Sequence, residues 1–425
     1  MRWARTAGRV VLAGALLLAG YAGPGARAAD GPSDSDGRGP MTLVTGRDLT
    51  GYLKDVLDGW NRTHPSERVK LIELPEAADE VRSQMADSLR SGSDRFDVLN
   101  IDVAWTSEFA GSGWIAPLDS RGLPLNRLLP SVAGTATFHG RLYAMPYVTN
   151  AGLLYYRKDL LDREGEKPPR TWAELERLAT TVAAKYGIDG YAGQFLPYEG
   201  LTVNVVEAVQ SAGGEILSGE GRQVTVDSPA ALRGIDFLVR GVREGWIPPA
   251  ALTFKEEESR RAFQSGKLLF LRNWPYVYSL ASAKDSKVAG KFGVVPLPGP
   301  DGPGAGVLGG SNLAVNTHSQ HRRSAADLIA YLTSESVQRR VLTEGSLPPV
   351  WASLYSDPEL IRRFPYLPVL EESVRAARPR PKSARYEQVS LVVAAVTHDA
   401  LALRLTPQQA IVRLNRELGD VVRGG

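Results

Sequence analysis

Short extended apolar stretches alternate with amphipathic helical segments from residue 41 onward, and that alternation constrains the fold more than any other feature of the chain. Residues 41–45 (MTLVT) read as a strand, followed by the polar loop 46–50 (GRDLT) and a helix through Trp60. Val69, Leu71 and Ile72 mark a second strand over 69–74, and 80–91 is an amphipathic helix. Residues 96–102 (FDVLNID) form a buried strand ending in an acid, and a helix over 105–112 follows. This spacing implies βαβ units and a mainly parallel sheet flanked by helices. At 425 residues the chain is long enough for two domains, each with its own core.

The pattern continues with breaks. Residues 143–156 (YAMPYVTNAGLLYY) form an extended apolar segment in which aromatic and polar residues converge. A helix is expected over 157–163, and Thr171 caps another with Glu174 as capping-box partner. Helices follow over 230–244 and 256–265, then a strand over 267–271 and a helix opened by Asn273-Trp274-Pro275-Tyr276. After a strand at 292–295, residues 296–306 (PLPGPDGPGAG) are the clearest run of breakers. Gly309-Gly310-Ser311 leads into a strand at 312–316, a helix covers 324–333, and the rest, to about 422, is mostly helical. Two crossings, near 149–153 and 296–306, suggest lobes that the chain visits more than once. Ligands of open α/β sheets bind beyond the carboxyl ends of strands, which puts loop 46–50 and the pair Asp102 and Trp105 at one cleft.

The N-terminus reads as an address. Arg2, Arg5 and Arg9 precede the apolar run 10–20 (VVLAGALLLAG), and Ala26-Arg27-Ala28 offers a cleavage site, so 1–28 is expected to be a secretory signal peptide. Residues 18–21 (LAGY) resemble a bacterial lipobox, but Tyr21 stands where the lipid-bearing Cys would be, so no thioether anchor is expected. Residues 29–40 are rich in Gly, Pro, Ser and Asp and read as a flexible tether. The protein is expected to be secreted or held at the extracellular face of the cell envelope.

Several chemistries are excluded at this level. The chain has no Cys, hence no disulfide, thiolate metal site or Cys nucleophile. The formal charge of +3 comes from the leader, because without Arg2, Arg5, Arg9 and Arg27 the remaining 46 basic residues face 47 acidic ones. No basic run interleaved with aromatics is left to grip phosphates, so nucleic acid is not an expected partner. No HExxH pattern, nucleophile elbow, Walker A loop or dinucleotide fingerprint is present, and His318 and His321 lack a third ligand nearby. No catalytic residue, metal or cofactor is expected. Asp102 and Glu199 can be drawn as a glycosidase acid pair, but each serves equally well to hydrogen-bond hydroxyls or cap a helix.

Sugar binding suits the composition better. Sugar rings need flat aromatics for their C–H faces and carboxylates, amides or Arg for their hydroxyl rim. Trp105, Tyr147, Trp274 and Tyr276 are stacking candidates, with Asp48, Asp102, Asn150, Glu199 and Asn273 for the hydroxyls. Each sits at a loop or element end, where a scaffold presents function. Trp60, Trp114 and Trp172 read as core, as does one of Tyr155 and Tyr156.

A family resemblance rests on ordered motifs. They are Phe96-Asp97-Val98 with 101–106 (IDVAWT), 142–146 (LYAMP), 152–161 (GLLYYRKDLL), Thr171-Trp172, 192–195 (AGQF) and 198–201 (YEGL). Further on come Gly266-Lys267, 272–276 (RNWPY), Gly309-Gly310 and 376–381 (AARPRP). Over residues 41–420 the chain resembles the extracellular solute-binding proteins (family 1) of bacterial ATP-binding-cassette sugar importers, in the maltose- and trehalose-binding group. The resemblance implies a two-lobe periplasmic-binding-protein-like fold (type II), each lobe a mainly parallel sheet flanked by helices. Lobe one would hold 41–149 and 307–345, and lobe two 153–300 and 350–425, with hinge segments near 149–153, 300–307 and 345–350. It implies a monomer that captures an α-linked di- or oligosaccharide, such as trehalose or maltose, and delivers it to a membrane permease. By the same resemblance Gly46, Arg47, Asp48, Thr50, Asp102 and Trp105 touch sugar, and Asn273, Trp274, Gly310, Ser311 and Arg380 match contact positions. Tyr147, Asn150, Glu199 and Asn204 join them by clustering near the hinge and loop ends. The GRDLT loop departs from the familiar version, which leaves a β-glucoside or an amino sugar open as ligand, and a secreted glycosidase as the alternative from another class.

Overall fold

The computed structural model describes residues 37–48, 51–75 and 77–424. The expected signal peptide, most of the tether and Thr50 lie outside the described residues.

Two β-sheets organise the chain. In the first, strand Met41–Gly46 pairs in parallel with Val69–Leu74 on one side and Val98–Asp102 on the other. Strand Val307–Val315 runs antiparallel to Val98–Asp102 and to Ala144–Ala151, and Arg378–Pro379 joins it in parallel. Alternation sends Leu43 and Val98 into one core and their chain neighbours Val44 and Leu99 into another, as the two-residue period of a strand requires. Helix Tyr52–Thr63 packs on the first of these cores through Leu53, Val56, Leu57 and Trp60, a spacing of three and four residues that keeps one helical face inward.

The second sheet runs in the order Phe292–Pro296, Leu153–Arg157, Leu268–Asn273, Asp189–Ala192. All six residues of Leu268–Asn273 (LLFLRN) are buried, as suits a central strand covered on both faces. Here the expectation of mainly parallel pairing needs correction. Leu153–Arg157 is antiparallel to both of its neighbours, and only Leu268–Asn273 with Asp189–Ala192 is parallel. The segment read as one extended run, 143–156, is two strands in two sheets, so Leu153–Arg157 enters the second sheet through Gly152 and not from a βαβ unit, and nothing in its connection imposes parallel pairing. The chain returns to the first sheet between Pro296 and Val307. Arg378–Pro379 lies on the first sheet although the C-terminal segment around it was expected in lobe two.

Local signals explain the rest. Thr171 and Glu174 form the anticipated capping box, with Thr171 N donating to Glu174 Oε2 at 3.1 Å and Glu174 N to Thr171 Oγ1 at 3.2 Å. The strand expected at 312–316 starts at Val307, because Gly309 and Gly310 stay within the strand. Gly310 takes φ 113°, and a Cβ there would stand 2.0 Å from the Val148 carbonyl oxygen of the neighbouring strand. A side chain would push the two strands apart, and a register shift follows at once between Ser311 and Asn312.

Candidate functional site

A cavity of about 680 Å³ is lined by the first-sheet strands and the loop after the first of them, and by the start of helix Glu199–Ser211, residues 255–258 and the segment that follows strand Leu268–Asn273. The loop after the first strand supplies Gly46, Arg47 and Asp48. Asp48 Oδ2 accepts from Leu53 N at 3.0 Å, and Asp48 N donates to Glu73 Oε1 at 2.8 Å. Helix Tyr52–Thr63 begins at Gly51, which has no side chain to cap it, so Asp48 serves an orphan amide and is held at the rim by doing so.

The carboxyl end of Val98–Asp102 supplies Asn100 and Asp102, which share a face because they are two residues apart in a strand. Asp102 Oδ1 accepts from Ala104 N at 2.8 Å and from Arg380 Nη2 at 2.5 Å. Arg380, 4 % exposed, also donates through Nη1 to Glu199 Oε1 at 2.5 Å. It thereby ties the first sheet to the start of helix Glu199–Ser211. Glu199 further accepts from Tyr386 Oη at 2.6 Å and Ser390 Oγ at 2.5 Å. Burial pushes the Glu199 carboxyl above its ordinary range, against the pull of Arg380. Both of its oxygens are engaged, which leaves it poorly placed as a general acid or base of the drawn glycosidase pair.

The opposite wall carries Trp274 and Tyr276. Trp274 is half-buried; its N donates to Asn273 Oδ1 at 2.7 Å and its carbonyl accepts from Tyr155 Oη at 2.8 Å. Tyr276 Oη donates to Glu257 Oε1 at 2.8 Å. Beside them Glu256 accepts from Tyr198 Oη at 2.5 Å, and burial raises the Glu256 carboxyl. The strand Val307–Val315 closes the floor with Gly309, Gly310 and Ser311.

Three polar atoms of residues that line the cavity are buried without a partner: Asn100 Oδ1, Asn150 Oδ1 and Arg380 Nε. Asn100 is oriented by its own amide, because Nδ2 donates to Thr45 Oγ1 at 2.9 Å. A buried acceptor left unpaired costs about 1–3 kcal/mol, so a ligand that offers hydroxyl donors here recovers that cost.

The sequence candidates divide accordingly. Gly46, Arg47, Asp48, Asp102, Tyr147, Asn150, Glu199, Trp274, Tyr276, Gly310, Ser311 and Arg380 line one cavity. Trp105 does not. The 3₁₀ turn Val103–Trp105 directs its ring into the core against Phe109, with ring centroids 6.2 Å apart. Asn273 is fully buried; its Nδ2 donates to Glu256 O and Ser259 Oγ, both at 3.1 Å, so it supports Trp274 from behind. Asn204 lies inside helix Glu199–Ser211 and donates to Gly200 O at 2.7 Å. Tyr147 borders the cavity but is 1 % exposed and bonded to Tyr52 Oη at 2.9 Å, which leaves no ring face for stacking. Sequence reading missed Asn100, Glu256 and Glu257. Asn100 was open to inference from its two-residue offset from Asp102, whereas nothing in the sequence singled out the two glutamates.

Among the described residues no cluster of three or more His, Cys, Asp or Glu suits a metal ion, and no helix is long and apolar enough to cross a membrane.

Comparison with known proteins shows the family and the fold. The family model for bacterial extracellular solute-binding proteins matches residues 46–339. A probable ABC transporter-binding protein of Deinococcus radiodurans is 33% identical over 395 residues, covering 90% of this chain and 94% of its own. A mannitol-binding protein of Pseudomonas aeruginosa is 28% identical and covers 75% of each chain. The maltose-bound MalE3 protein of T. maritima superposes with a TM-score of 0.84 at 35% identity, over 90% of this chain and 99% of the other. The family and these relatives are binding proteins. By sequence match and by fold, the chain belongs to the bacterial extracellular solute-binding protein family.

Proposed function

We propose that the protein is an exported receptor that captures an α-linked di- or oligosaccharide of the maltose or trehalose type in the cavity between its lobes and hands it to an ATP-binding-cassette permease. The observation that carries this reading is the pairing of a half-buried Trp274 on one wall with an unpartnered Asn100 acceptor on the other, and with the unpartnered Asn150 acceptor beside the floor strand at Gly309. One surface suits an apolar sugar face, and the other suits hydroxyl donors. The maltose carried by the T. maritima relative at 35% identity supports the choice of sugar class.

On this reading residues 41–149 with 307–345 form one lobe, and 153–300 with 350–425 the other, apart from Arg378–Pro379 on the first sheet. The single-residue crossing at Gly152, the return before Val307 and the segment 345–350 are the hinge. The first lobe receives the sugar through Asp48, Asn100 and Asp102, and Trp274 then covers the exposed ring as the lobes close. Arg47, Asn150, Tyr276, Gly310 and Ser311 complete the wall, and the closed monomer is what the permease meets.

A thermal-shift screen of residues 29–425 against maltose, trehalose, longer α-glucans, β-glucosides, amino sugars and mannitol tests the assignment. Native-state binding raises the melting temperature by mass action. A rise with an α-glucoside alone is the expected result. A rise confined to mannitol would replace the saccharide with a polyol, and no rise with any of them would remove the reading.

A further inference from the structure

Behind the cavity sits a buried ion pair that reaches two of the chain's crossings, at Gly152 and before Val307, and the aromatic wall at once. Arg272 is 1 % and Glu207 4 % exposed. The guanidinium forks onto the carboxylate, with Nε to Oε2 at 2.7 Å and Nη2 to Oε1 at 2.6 Å, and its remaining Nη1 donates to Gln194 Oε1 at 2.9 Å. Its Cζ lies over the Trp274 ring, 4.1 Å from the ring centroid. The carboxylate faces the other way. Glu207 Oε1 accepts from Val307 N at 3.2 Å, on the chain's return to the first sheet. The same oxygen would stand 2.2 Å from a Cβ on Gly152, the residue of the outward crossing. Gly152 therefore leaves room for the pair to press against the crossing backbone. Trp274 meanwhile abuts the first sheet, since a Cβ on Gly309 would come within 2.9 Å of Trp274 Cζ3.

A buried pair of this kind is not explained by stability alone, because desolvation offsets much of its attraction. Its geometry is directional. A planar guanidinium fixes the plane of the ring it stacks on, which an ammonium does not do. We propose that Arg272 and Glu207 are positioning residues that set the plane of Trp274 and tie it to the two crossings, so that the stacking ring moves with the hinge. This inference rests on the reading that Trp274 stacks on the sugar.

Two measurements separate that reading from the inference. The first needs no sugar. With 5-fluorotryptophan incorporated, the ¹⁹F resonance of Trp274, assigned by its loss in Trp274→Phe, should shift and broaden in Arg272→Lys and in Glu207→Gln, while that of Trp60 stays in place. An unmoved Trp274 resonance in both variants overturns the inference, whatever the protein binds. Should Arg272→Lys fail to fold, Glu207→Gln carries the same comparison. The second is a double-mutant cycle read by calorimetry with maltose. Arg272→Lys should weaken binding about tenfold in the parent and less than twofold in a Trp274→Ala background. Equal losses in both backgrounds mean that Arg272 acts on the fold at large, which also overturns the inference. Maltose affinity unchanged by Trp274→Ala, with the resonance shifted as described, sinks the sugar-stacking reading and leaves the positioning of the ring standing.

Discussion

Arg380 Nη2 lies 2.5 Å from Asp102 Oδ1, and through that contact a residue near the C-terminal end of the chain closes on the carboxyl end of a strand in the first sheet. The same guanidinium is bonded to Glu199, so a single cation holds two carboxylates carried by different elements. Removing one member of a buried pair is costly because the other charge stays buried and unpaired. Arg380→Met should lower unfolding free energy by about 3–5 kcal/mol, read as the midpoint of a urea titration with the slope unchanged. A loss below about 1 kcal/mol would mean that the contact is no better than an exposed pair.

The Glu199 carboxyl gives this cluster a pH signature. Its folded pKa is raised above the ordinary 4.5 by burial, so the folded state holds the proton longer than the unfolded chain does. Stability contributed by protonated Glu199 is therefore complete below that ordinary value and is lost as pH rises through the raised folded value. The parent protein should lose stability across this window relative to Glu199→Gln, which cannot titrate. Denaturant midpoints of the two proteins measured from pH 4 to 8 check it, and parallel curves would show that Glu199 does not titrate there.

The two tryptophans flagged by sequence should behave oppositely. Trp274 is half-buried on the cavity wall and Trp105 is packed on Phe109. Trp274→Ala should weaken sugar binding about tenfold or more with a small effect on stability. Trp105→Ala should cost about 3–5 kcal/mol of stability, while Trp105→Phe keeps affinity near that of the parent. Calorimetry and thermal melts on the three variants decide between these assignments.

The contrast shows where sequence reading succeeded. Strands such as 41–45 and 267–271 were legible because apolar runs bounded by breakers have few alternatives, and Thr171 with Glu174 announced a helix start by its spacing. The extended apolar run 143–156 hid a change of sheet, because no local pattern records which partner strand an extended segment pairs with. Trp105 stood beside polar loop residues, yet a 3₁₀ turn aims its ring inward, and the direction of such a turn is a tertiary outcome. Asn273 carried the right chemistry, but the backbone of its own neighbour Trp274 and the Glu256 carbonyl claimed it first.

Asn100 separates binding from folding. Its Oδ1 is buried without a partner, so the unliganded protein gains nothing from that atom. Asn100→Ala should leave unliganded stability within about 1 kcal/mol, because the lost Nδ2 bond to Thr45 is offset by removal of an unpaired acceptor. Affinity for a sugar that donates to Oδ1 should fall by about tenfold to a hundredfold. Equal affinity in calorimetry would mean that no ligand hydroxyl reaches Asn100.

Gly310 tests the closeness of the floor strands. Its φ of 113° and the 2.0 Å approach of the Val148 carbonyl to a would-be Cβ leave two separate obstacles to any side chain. A rotamer change cannot relieve either, since the obstructing atom is backbone on the paired strand. Gly310→Ala should therefore destabilise by more than the ordinary cost of about 1 kcal/mol for an alanine at positive φ. It should also displace Ser311, which pairs with both Asp102 and Val148 across the ladder. Stability and affinity should fall together in this variant, unlike Asn100→Ala, where affinity falls alone. Gly309→Ala offers the comparison within the same strand, because the atoms its Cβ would meet belong to the Trp274 ring, 2.9 Å away, and a side chain can shift where a backbone cannot. If thermal melts place Gly310→Ala level with Gly309→Ala, the close approach of the two strands is not what reserves this position for glycine.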